Sequence, residues 1–416
     1  MDIEQIETVI VGGGQAGLAM SYHLSQRGRE HLVLERARVA ERWRSERWDS
    51  LRFQSPNWNI HLPGLALQTA HPDAFSARDD VVGFIERYAS FVRAPLRCGV
   101  EATALRHNAD ATRLVVETAV GLIEARNVVL ATGPFQRPMA PPFAAGRELE
   151  IHASQYRNPQ QLPAGAVLVV GSGNSGCQIA EELCAAGRQV YLSVGRHRRV
   201  PRRYRGKDYF WWYLALGDAD TTIDQRRGGA RSSILITGVD GGHDVNLRSL
   251  ASDGVVLVGR VVGCQFGRLA IADDLAKNVS DGDAAMAAFR ERADTYASNN
   301  EAVVAAADEP TELLHVPTEL NDPIRTLDLR GANITTVIWA NGYRYDYDWV
   351  KLPILATGPG SSGEPMHRRG ITNTPGVYVL GLPWLNKLKS SFLHGVGEDA
   401  EHLADYISSQ GGMLMK

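Results

Sequence analysis

The stretch that decides the fold is Val9-Ile10-Val11-Gly12-Gly13-Gly14-Gln15-Ala16-Gly17. An apolar run typical of a buried strand leads directly into a Gly-x-Gly-x-x-Gly fingerprint, and an apolar helical pattern follows as far as Gly28. In such a strand–turn–helix unit the first glycine makes the turn, the second admits a pyrophosphate and the third lets helix and strand pack closely. The stretch therefore predicts a Rossmann-like dinucleotide-binding unit.

The same arrangement occurs a second time further along the chain. Gly171, Gly173 and Gly176 follow an apolar run at 167–170, and the offset of 171 − 12 = 159 aligns the two copies without a gap. Under this offset Gly187 takes the helix-terminating place of Gly28. A single fingerprint is weak evidence, because glycine-rich turns without a ligand also occur in α/β sheets. Two complete copies predict two dinucleotide sites.

The two copies differ at the end of the strand that follows each helix. Glu35 stands 35 − 12 = 23 residues after Gly12, close to the ~20 expected for an acid that hydrogen-bonds ribose hydroxyls. The first site is therefore predicted to hold an adenosine ribose without a 2′-phosphate, as in FAD or NAD. The same offset places Val194 in the second copy, so the acid is absent there.

Serine and arginine residues surround that position in the second copy. Ser193, Arg196 and Arg198 can hydrogen-bond a 2′-phosphate, which a carboxylate would repel, and Arg199 could replace a neighbouring arginine in this role. The second site is therefore predicted to bind NADPH. The alternative is that the arginine run, which continues to Arg205, is a solvated basic face.

The composition excludes several classes of protein. The chain has 416 residues, with 44 Lys and Arg against 47 Asp and Glu, and its net charge of −3 disfavours a dedicated nucleic-acid binder. No apolar run approaches the roughly 20 residues of a membrane span. The 12 histidines are scattered without a ligand cluster, which argues against a metal site.

The cysteines and the N-terminus bear on the cellular compartment. The 4 cysteines form no Cys-x-x-Cys pair, which excludes a dithiol redox motif and favours reduced thiols. The N-terminal residues run into the first strand without a secretory signal. The sequence therefore predicts a cytoplasmic protein whose partner is a small molecule, and neither a nucleic acid nor a membrane. It leaves the oligomeric state open, a homodimer included.

Three further strand-to-glycine elements extend the pattern. Ala131-Thr132-Gly133 ends one apolar strand, and Ala340-Asn341-Gly342 ends another of the same form. Near the C-terminus a third strand runs into Gly381, and a helical pattern follows over 399–407. The threonine and the glycines of these turns are candidate cofactor-binding residues.

In the order of these elements the chain resembles the flavin-containing monooxygenase family, which includes auxin-forming plant enzymes and small bacterial relatives. The resemblance extends over nearly the whole length. It implies that FAD occupies the first site and NADPH the second, and that NADPH reduces the flavin, which then activates O2 as a C4a-hydroperoxide. The oxygen acceptor would be a small molecule with a nucleophilic nitrogen or sulfur, or a keto acid.

That family carries a Phe-x-Gly-x-x-x-His-x-x-x-Tyr signature between the two fingerprints. Here the spacing from Phe143 to Gly146 and from there to His152 is too long, but the His152–Tyr156 half is intact. By the resemblance His152 and Tyr156 serve cofactor binding, whereas the alternative for His152 is a packed, hydrogen-bonded linker histidine. A final tyrosine rather than tryptophan favours heteroatom oxygenation or decarboxylation over Baeyer–Villiger chemistry.

A segment rich in tryptophan and arginine, 43–56, resembles the part of the family beside the isoalloxazine ring. By this resemblance Trp43 packs near the flavin, and Gln54 is the candidate catalytic residue close to the reactive flavin carbon. The alternatives are a core aromatic for Trp43 and a loop amide bonded to the backbone for Gln54. The remaining candidate cofactor-binding residues are Gln15, Ala16, Arg36, Val100, Asn174 and Ser175.

These observations predict an α/β protein with two Rossmann-like dinucleotide-binding domains, the NADPH domain being inserted into a discontinuous FAD domain. The FAD-binding domain is predicted to span 1–158 and 326–416, and the NADPH-binding domain 159–325. Within the inserted domain, the aromatic block from Tyr209 to Tyr213 is typical of a core or a subunit interface. The polar, alanine-rich stretch 273–307 predicts an exposed helix pair.

Two other functions remain open on this sequence. One is an NADPH-dependent flavoprotein reductase or oxidase, which passes electrons to a partner or to O2. The other is a nucleotide-sensing interaction protein that binds FAD structurally and turns over no NADPH.

Overall fold

Two parallel sheets, each carrying one of the fingerprints, organise the chain. The computed structural model describes residues 3–139, 141–226, 234–300, 316–356 and 363–411. The last four residues of the first fingerprint strand and all five of the second are buried. Near-continuous apolar strands of this kind are expected where helices cover both faces of a parallel sheet.

The first sheet has nine strands. The central strand Glu4–Val11 pairs in parallel with His31–Glu35 on one side and with Gly121–Leu130 on the other. Gly121–Leu130 also pairs in parallel with Val377–Val379, so a late part of the chain completes this sheet. The other members of the sheet are Leu96–Cys98, Ala102–His107, Leu114–Thr118, His367–Arg368 and Ile371–Thr372.

The second sheet has five strands, and all of its pairings are parallel. Its central strand Ala166–Val170 lies between Val190–Ser193 and Ile334–Trp339. Val256–Val258 and Leu149–His152 form its two edges. Because the neighbours of the central strand have the same order and direction as in the first sheet, the two sheets repeat one topology.

The predicted repeat is confirmed at the level of single hydrogen bonds. The two fingerprint helices, Gln15–Gln26 and Asn174–Ala185, have 12 residues each. The Gly12 N–H donates to the Leu34 carbonyl at 2.8 Å, and the Gly171 N–H donates to the Ser193 carbonyl at 3.1 Å. The predicted helix ends also agree, because the terminating glycines of both copies have a positive φ, which glycine adopts without strain.

Sheet membership differs from the predicted domain boundaries. Leu149–His152 and Ile334–Trp339 pair within the second sheet, although the predicted boundaries assign both to the FAD-binding domain. The sequence does not distinguish these strands, because an apolar strand before a glycine turn has the same appearance in both halves of the repeat. We therefore propose a first unit of 3–148 and 343–411 around a second unit of 149–342.

The other helices lie on or beside the two sheets and are Glu41–Ser45, Arg78–Val92, Tyr209–Ala215, Leu247–Ser252, Leu275–Ser298 and Val396–Gly411. Within the predicted helix pair over 273–307 the structure has one continuous helix, Leu275–Ser298, and 301–307 lie outside the described residues. Across the ranges that the structure describes, no helix is both long and apolar enough to cross a membrane.

The other strands form small antiparallel sheets and are His61–Leu62, Leu65–Ala66, Arg137–Pro138, Arg203–Tyr204, Lys207–Asp208, Ile236–Thr237, His243–Asp244, Val261–Gln265, Arg268–Ile271, Thr326–Asp328 and Tyr343–Arg344.

The C-terminal helix closes the first unit. Val396–Gly411 covers the predicted helical pattern at 399–407 and packs against the first fingerprint helix. Leu18, Leu24, Leu403 and Ile407 are buried in the same core. The position of the first fingerprint therefore depends on residues at both ends of the chain.

Candidate functional site

One continuous cavity joins the two fingerprints. Its volume is about 1910 Å³, and its walls include Gly12 and Gly14 of the first fingerprint and Gly173, Asn174 and Ser175 of the second. Typical small-ligand pockets have roughly 300–1,000 Å³, so this cavity has room for more than one ligand. The structure thus places both predicted sites in a single open space.

The glycines of the first fingerprint are required for different reasons. Gly12 has a φ of +118°, and a Cβ there would lie 2.4 Å from the Ala131 carbonyl oxygen. A Cβ on Gly17 would lie 1.9 Å from the Gly12 carbonyl oxygen. Beside Gly14, in contrast, a Cβ would meet nothing within 4 Å, and the helix that starts there has no side-chain cap. Open space before uncapped N–H groups fits an anionic pyrophosphate.

The second fingerprint repeats this geometry. A Cβ on Gly171 would lie 2.6 Å from the Ala340 carbonyl oxygen, and one on Gly176 would lie 1.8 Å from the Gly171 carbonyl oxygen. Gly173 precedes its helix without a side-chain cap, as Gly14 does. The Ala-x-Gly turns at 131–133 and 340–342 therefore have the same role. Each presents an alanine carbonyl, that of Ala131 or Ala340, which only a glycine can approach so closely.

Glu35 occupies the position predicted for an acid beside a ribose. Its Oε2 accepts a hydrogen bond from the Gly13 N–H at 2.8 Å, and its Oε1 accepts one from the Ala37 N–H at 3.0 Å. The side chain lines the cavity. Each carboxylate oxygen has a further lone pair for a ligand hydroxyl.

The pair formed by Gly13 and Glu35 is replaced by a different pair in the second copy. A Cβ on Gly13 would lie 2.9 Å from the Cβ of Glu35, so the acid requires glycine opposite it. In the second copy Ser172 stands in place of Gly13, and its hydroxyl accepts from the Gly195 N–H at 2.9 Å. Val194, in place of Glu35, is fully buried. The serine fills the space that the acid would need.

We therefore expect Ser172→Gly/Val194→Glu to create an acidic site in the second copy, whereas Val194→Glu alone does not. The double variant should weaken the binding of NADPH by at least about tenfold relative to that of NADH, because a carboxylate would face the 2′-phosphate. The single variant should instead lower the melting temperature, since its carboxylate meets the Ser172 side chain. The measurement is kcat/KM for both coenzymes together with thermal unfolding; an equal shift in both variants would contradict the expectation.

The arginine segment after the second fingerprint divides into cavity and core residues. Arg198 is exposed and lines the cavity. Arg196 is exposed but is not among the cavity-lining residues. Arg199 is buried and lies within 3.5 Å of both Asp244 and Asp283. Arg198 is therefore the best-placed arginine for a phosphate, and the suggested exchange with Arg199 is wrong.

Ser193 does not take the predicted position. Its side chain is buried, and its hydroxyl donates to the Gly259 carbonyl at 3.0 Å and accepts from the Val261 N–H at 3.2 Å. The hydroxyl joins neighbouring strands instead of facing the cavity. This direction could not be predicted from the sequence, because side chains alternate between the two faces of a strand and the register of the strand was unknown.

Gln54 lines the cavity on a segment held by the second unit. Its backbone carbonyl accepts from Nη1 of Arg202 at 2.7 Å. Arg202 is 2% exposed; its Nε donates to Asp208 at 2.9 Å and its guanidinium lies 4.1 Å from the centre of the Phe75 ring. Burial lowers the pKa of Arg202 to about 10. A buried cation from the second unit thus fixes the backbone of the candidate catalytic residue.

His152 lines the cavity as a neutral linker. Its Nδ1 accepts from the Ser154 N–H at 3.1 Å, so its Nε2 carries the proton and donates to the Gly342 carbonyl at 3.1 Å. Burial lowers the pKa of the imidazole. The ring stands edge-on to Tyr343 at 4.9 Å. This geometry favours the packed alternative, in which His152 fixes the second alanine–x–glycine turn.

Tyr156 lies outside the cavity. It is fully buried, and its hydroxyl donates to Glu182 on the second fingerprint helix at 2.7 Å. Burial raises the pKa of the phenol. The predicted contact with a cofactor is therefore corrected to a structural role, and the inference about substrate class drawn from this tyrosine loses its basis.

Trp43 is half-buried and lines the cavity beside other aromatic and cationic groups. Its ring is edge-on to Phe53 at 5.6 Å. The Arg47 guanidinium lies 5.7 Å from the centre of the Trp43 ring and 5.2 Å from that of Phe135. Each of the two predicted alternatives for Trp43 therefore describes part of the side chain. It packs against Phe53, as a core aromatic would, and it also lines the cavity.

The other predicted residues lie on the cavity wall and are Gln15, Ala16, Arg36, Val100, Thr132, Gly133, Asn174, Ser175, Gly342 and Gly381. Gln15 donates from Nε2 to the Ser391 carbonyl at 2.6 Å. A Cβ on Gly381 would lie 2.6 Å from the Cβ of Ala16, so the third strand-to-glycine element allows the fingerprint helix to approach.

Sequence reasoning missed the part of the wall formed by 209–226 and 384–394. Tyr209, Phe210 and Tyr213 line the cavity, whereas Trp212 is fully buried in the core. Phe392 and His394 stand on the same wall. The spacing of the three cavity residues, one turn of a helix, was the available signal.

The cavity contains neither a thiol nor a recognisable metal site within the described ranges. Cys98, Cys177, Cys184 and Cys264 are free, and none of them is among the residues lining the cavity. No group of three or more His, Cys, Asp or Glu side chains that could hold a metal ion occurs in the described part of the chain. A dithiol relay through the cavity is therefore not available.

Comparison with known proteins identifies relatives along the whole chain. Residues 9–208 match a family model described as pyridine nucleotide-disulphide oxidoreductase. An uncharacterized CzcO-like oxidoreductase of Geobacillus kaustophilus is 32% identical over 407 residues, which cover 97% of this chain and 98% of the relative. The indole-3-pyruvate monooxygenase YUCCA1 of Oryza sativa subsp. japonica is 33% identical over 215 residues, about half of each chain.

A solved structure shares the fold. The flavin-containing monooxygenase from Stenotrophomonas maltophilia has a TM-score of 0.66 and 19% identity, covering 98% of this chain and 99% of that one. The near-complete sequence match to a CzcO-like oxidoreductase, the partial match to a plant monooxygenase and the shared fold agree with the duplicated fingerprints. The chain belongs to the same family as the CzcO-like oxidoreductase of Geobacillus kaustophilus, and it shares the fold of a flavin-containing monooxygenase.

Proposed function

We propose that the protein is an FAD-dependent, NADPH-consuming monooxygenase that transfers one oxygen atom of O2 to a small organic substrate. The observation that carries this proposal is the single cavity shared by the two fingerprints. Hydride transfer requires the nicotinamide and the flavin to be in contact, and one shared cavity permits this. The partial match to a plant indole-3-pyruvate monooxygenase and the fold shared with a flavin-containing monooxygenase support the same reaction class. A cytoplasmic location remains a prediction from the sequence, and the oligomeric state, a homodimer included, remains open.

The first fingerprint fits FAD. The open space beside Gly14 and the uncapped helix start would receive the pyrophosphate. Glu35 would accept hydrogen bonds from the adenosine ribose, because each of its oxygens has one lone pair beyond the bond to the backbone. Trp43 and Gln54 would stand nearer the isoalloxazine ring, as the family resemblance implies.

The second fingerprint fits NADPH. Asn174 and Ser175 line the cavity at the start of an uncapped helix. Val194 offers no acid to repel a 2′-phosphate, and Arg198 is available on the cavity wall. Arg196 is a second, more peripheral candidate for the same phosphate.

When bound at the first fingerprint, FAD would supply the redox chemistry, namely acceptance of a hydride from NADPH and activation of O2, and the chain would supply orientation and a dry pocket. The aromatic side chains of Trp43, Phe53 and Phe210 line the same cavity as Gln54 and would help to keep water from a bound flavin. The Gln54 amide can donate a hydrogen bond into the cavity, and Arg202 holds its backbone in place. The acceptor would be a nitrogen or sulfur centre, or a keto acid.

Removing the Arg198 guanidinium should weaken NADPH selectively. Charge-assisted hydrogen bonds contribute about 1.5–3 kcal/mol, so losing one weakens binding by roughly 10- to 150-fold. We expect Arg198→Ala to raise the NADPH KM by a factor in this range, with little change for NADH, and Arg196→Ala to have a smaller effect of the same kind. The measurement is kcat/KM for both coenzymes.

Arg368→Ala is the matched control, because this arginine is exposed on the strand His367–Arg368 at the edge of the first sheet. It should leave both coenzymes unchanged. Wild-type preference for NADH, or equal losses for NADH and NADPH in both test variants, would refute the NADPH assignment but not the second dinucleotide site.

The reductase or oxidase alternative is separated from oxygenation by labelled oxygen. The holoenzyme is supplied with NADPH, ¹⁸O2 and one of three probes: thioanisole, N,N-dimethylaniline or phenylpyruvate. A monooxygenase places ¹⁸O in a product. Stoichiometric labelled hydrogen peroxide with unlabelled probes would favour an oxidase, and absence of NADPH turnover with every acceptor would favour a nucleotide-sensing protein.

A further inference from the structure

Five aromatic residues form one wall of the cavity that no dinucleotide fingerprint uses. We call Tyr209, Phe210, Tyr213, Phe392 and His394 the aromatic chamber; all five line the cavity. Tyr209, Phe210 and Tyr213 come from one helix and contact one another, with ring centres 5.6 to 6.4 Å apart. His394 completes the chamber, edge-on to Tyr213 at 6.0 Å.

Two polar atoms of the chamber are buried without a partner. Neither the Tyr213 hydroxyl nor the His394 Nε2 makes a hydrogen bond, although both are shielded from water. Tyr213 is 3% exposed. A buried polar group without a partner costs roughly 1–3 kcal/mol of stability, so such groups are rare. Two such groups, on cavity-lining side chains whose ring centres lie 6.0 Å apart, indicate a place for a ligand group.

The chamber is uncharged. Burial, with His61 and Lys389 nearby, lowers the pKa of His394 to about 4, so the imidazole is neutral at pH 7. Two of the cations around it are already engaged: Arg292 pairs with Asp218 at 2.6 Å, and Lys389 pairs with Asp220 at 2.9 Å. Neither is therefore free to pair with an anionic ligand group, and Arg198, which lies near Tyr209 on the same cavity, is assigned above to the coenzyme phosphate.

The chamber is connected to both predicted cofactor elements. Asp208 caps the helix of Tyr209 through the Phe210 N–H at 2.8 Å and also binds Arg202, which holds the Gln54 carbonyl. On the other side, Gln15 of the first fingerprint binds the Ser391 carbonyl, three residues before His394. The chamber therefore lies between the first fingerprint and the segment of the candidate catalytic residue.

We propose that the aromatic chamber binds the oxygen acceptor and selects a neutral aromatic molecule whose one hydrogen-bonding group meets Tyr213 and His394. The proposal rests on the proposed function for what happens to the molecule once bound. It narrows the acceptors considered above, because it disfavours a keto acid, whose carboxylate carries a charge.

The test uses three probes that share one reacting sulfur and differ only in the opposite ring substituent. They are 4-(methylthio)phenol, thioanisole and 4-(methylthio)benzoate, and their Kd for the FAD-loaded enzyme is measured by equilibrium dialysis. The phenol should bind most tightly, by roughly 3- to 10-fold over thioanisole, as expected for one added hydrogen bond. The benzoate should bind most weakly.

Tyr213→Phe should remove the preference for the phenol and leave thioanisole binding unchanged. Because the substitution removes an unpartnered buried hydroxyl, its melting temperature should equal or exceed that of the wild type. His394→Phe should act in the same direction on both readouts. Tyr156→Phe is the matched control: its hydroxyl is bonded to Glu182 outside the cavity, so this variant should lose stability and keep the phenol preference.

The outcomes separate the two proposals. Tightest binding of the benzoate, equal losses for phenol and thioanisole in Tyr213→Phe, or binding of none of the probes would overturn the chamber as acceptor site. The expected order of Kd values without any ¹⁸O-labelled product would leave the chamber in place and overturn oxygenation.

Discussion

Gly14→Val is expected to give a folded protein that purifies without yellow colour. Gly14 has a φ of −87°, which any residue can adopt, and a Cβ there would meet no protein atom within 4 Å. The valine therefore costs the fold little and occupies the space that the pyrophosphate needs. A steric cost of about 3 kcal/mol would weaken the binding of FAD by roughly 100-fold. Flavin content and circular dichroism are the measurements.

Two further glycine variants distinguish the loss of flavin binding from the loss of the fold and from the loss of reduction by NADPH. Gly17→Ala should lose both flavin and stability, because its Cβ would lie 1.9 Å from the Gly12 carbonyl oxygen. Gly173→Val, the equivalent of Gly14→Val in the second copy, should stay yellow and lose reduction by NADPH. Full flavin content in Gly14→Val would refute the placement of FAD at the first fingerprint.

Arg202→Met is expected to have the second large effect. It should lower both the free energy of unfolding and the coupling, which is the fraction of consumed NADPH that leads to oxygenated product. It leaves the Asp208 carboxylate, 14% exposed, without its guanidinium partner. Removing one member of a buried ion pair costs about 3–5 kcal/mol. It also releases the Gln54 carbonyl, so we expect a larger fraction of NADPH to end as hydrogen peroxide. Urea unfolding and the ratio of peroxide to NADPH consumed are the measurements.

Arg203→Met is the matched control for this prediction. Arg203 is exposed and donates to the Gly241 and Gly242 carbonyls at 2.7 and 3.0 Å, away from Gln54. This substitution should lower the free energy of unfolding by less than about 1 kcal/mol and leave the coupling unchanged. Arg202→Lys keeps the charge but loses the planar fork, so it should recover part of the stability and little of the coupling. Normal coupling in a folded Arg202→Met protein would argue against a positioning role.

The repeat could be predicted because the requirements for its glycines are local. Gly12, Gly17, Gly171 and Gly176 each lie against a carbonyl of a neighbouring turn, so no other residue fits and the pattern is legible in the sequence. The acid at Glu35 and its absence at Val194 followed from spacing alone. The structure added the reason for the exchange at Ser172, which spacing could not supply.

The corrected predictions concern side-chain direction, and the order of the strands is a feature that the sequence alone could not supply. Ser193 and Arg199 have suitable chemistry but are buried, and for Ser193, at the end of a strand, one residue of register decides which face the side chain takes. Tyr156 matched a family signature whose first half is altered here, and its hydroxyl binds a helix instead of a cofactor. The strand Ile334–Trp339 pairs across 163 intervening positions with Ala166–Val170, and no local pattern encodes such a partner.

The nested arrangement of the two units has a consequence during synthesis on the ribosome. Gly121–Leu130 receives its parallel neighbour Val377–Val379 only after ~250 further residues have been made, which takes about 12–50 s at 5–20 residues per second. Throughout that interval the nascent chain displays an unpaired strand edge of the kind that promotes aggregation. The strands of the second unit are all synthesised within that interval, so this unit can fold first. Until translation ends, protection of the exposed strand edge depends on the folded second unit or on a chaperone.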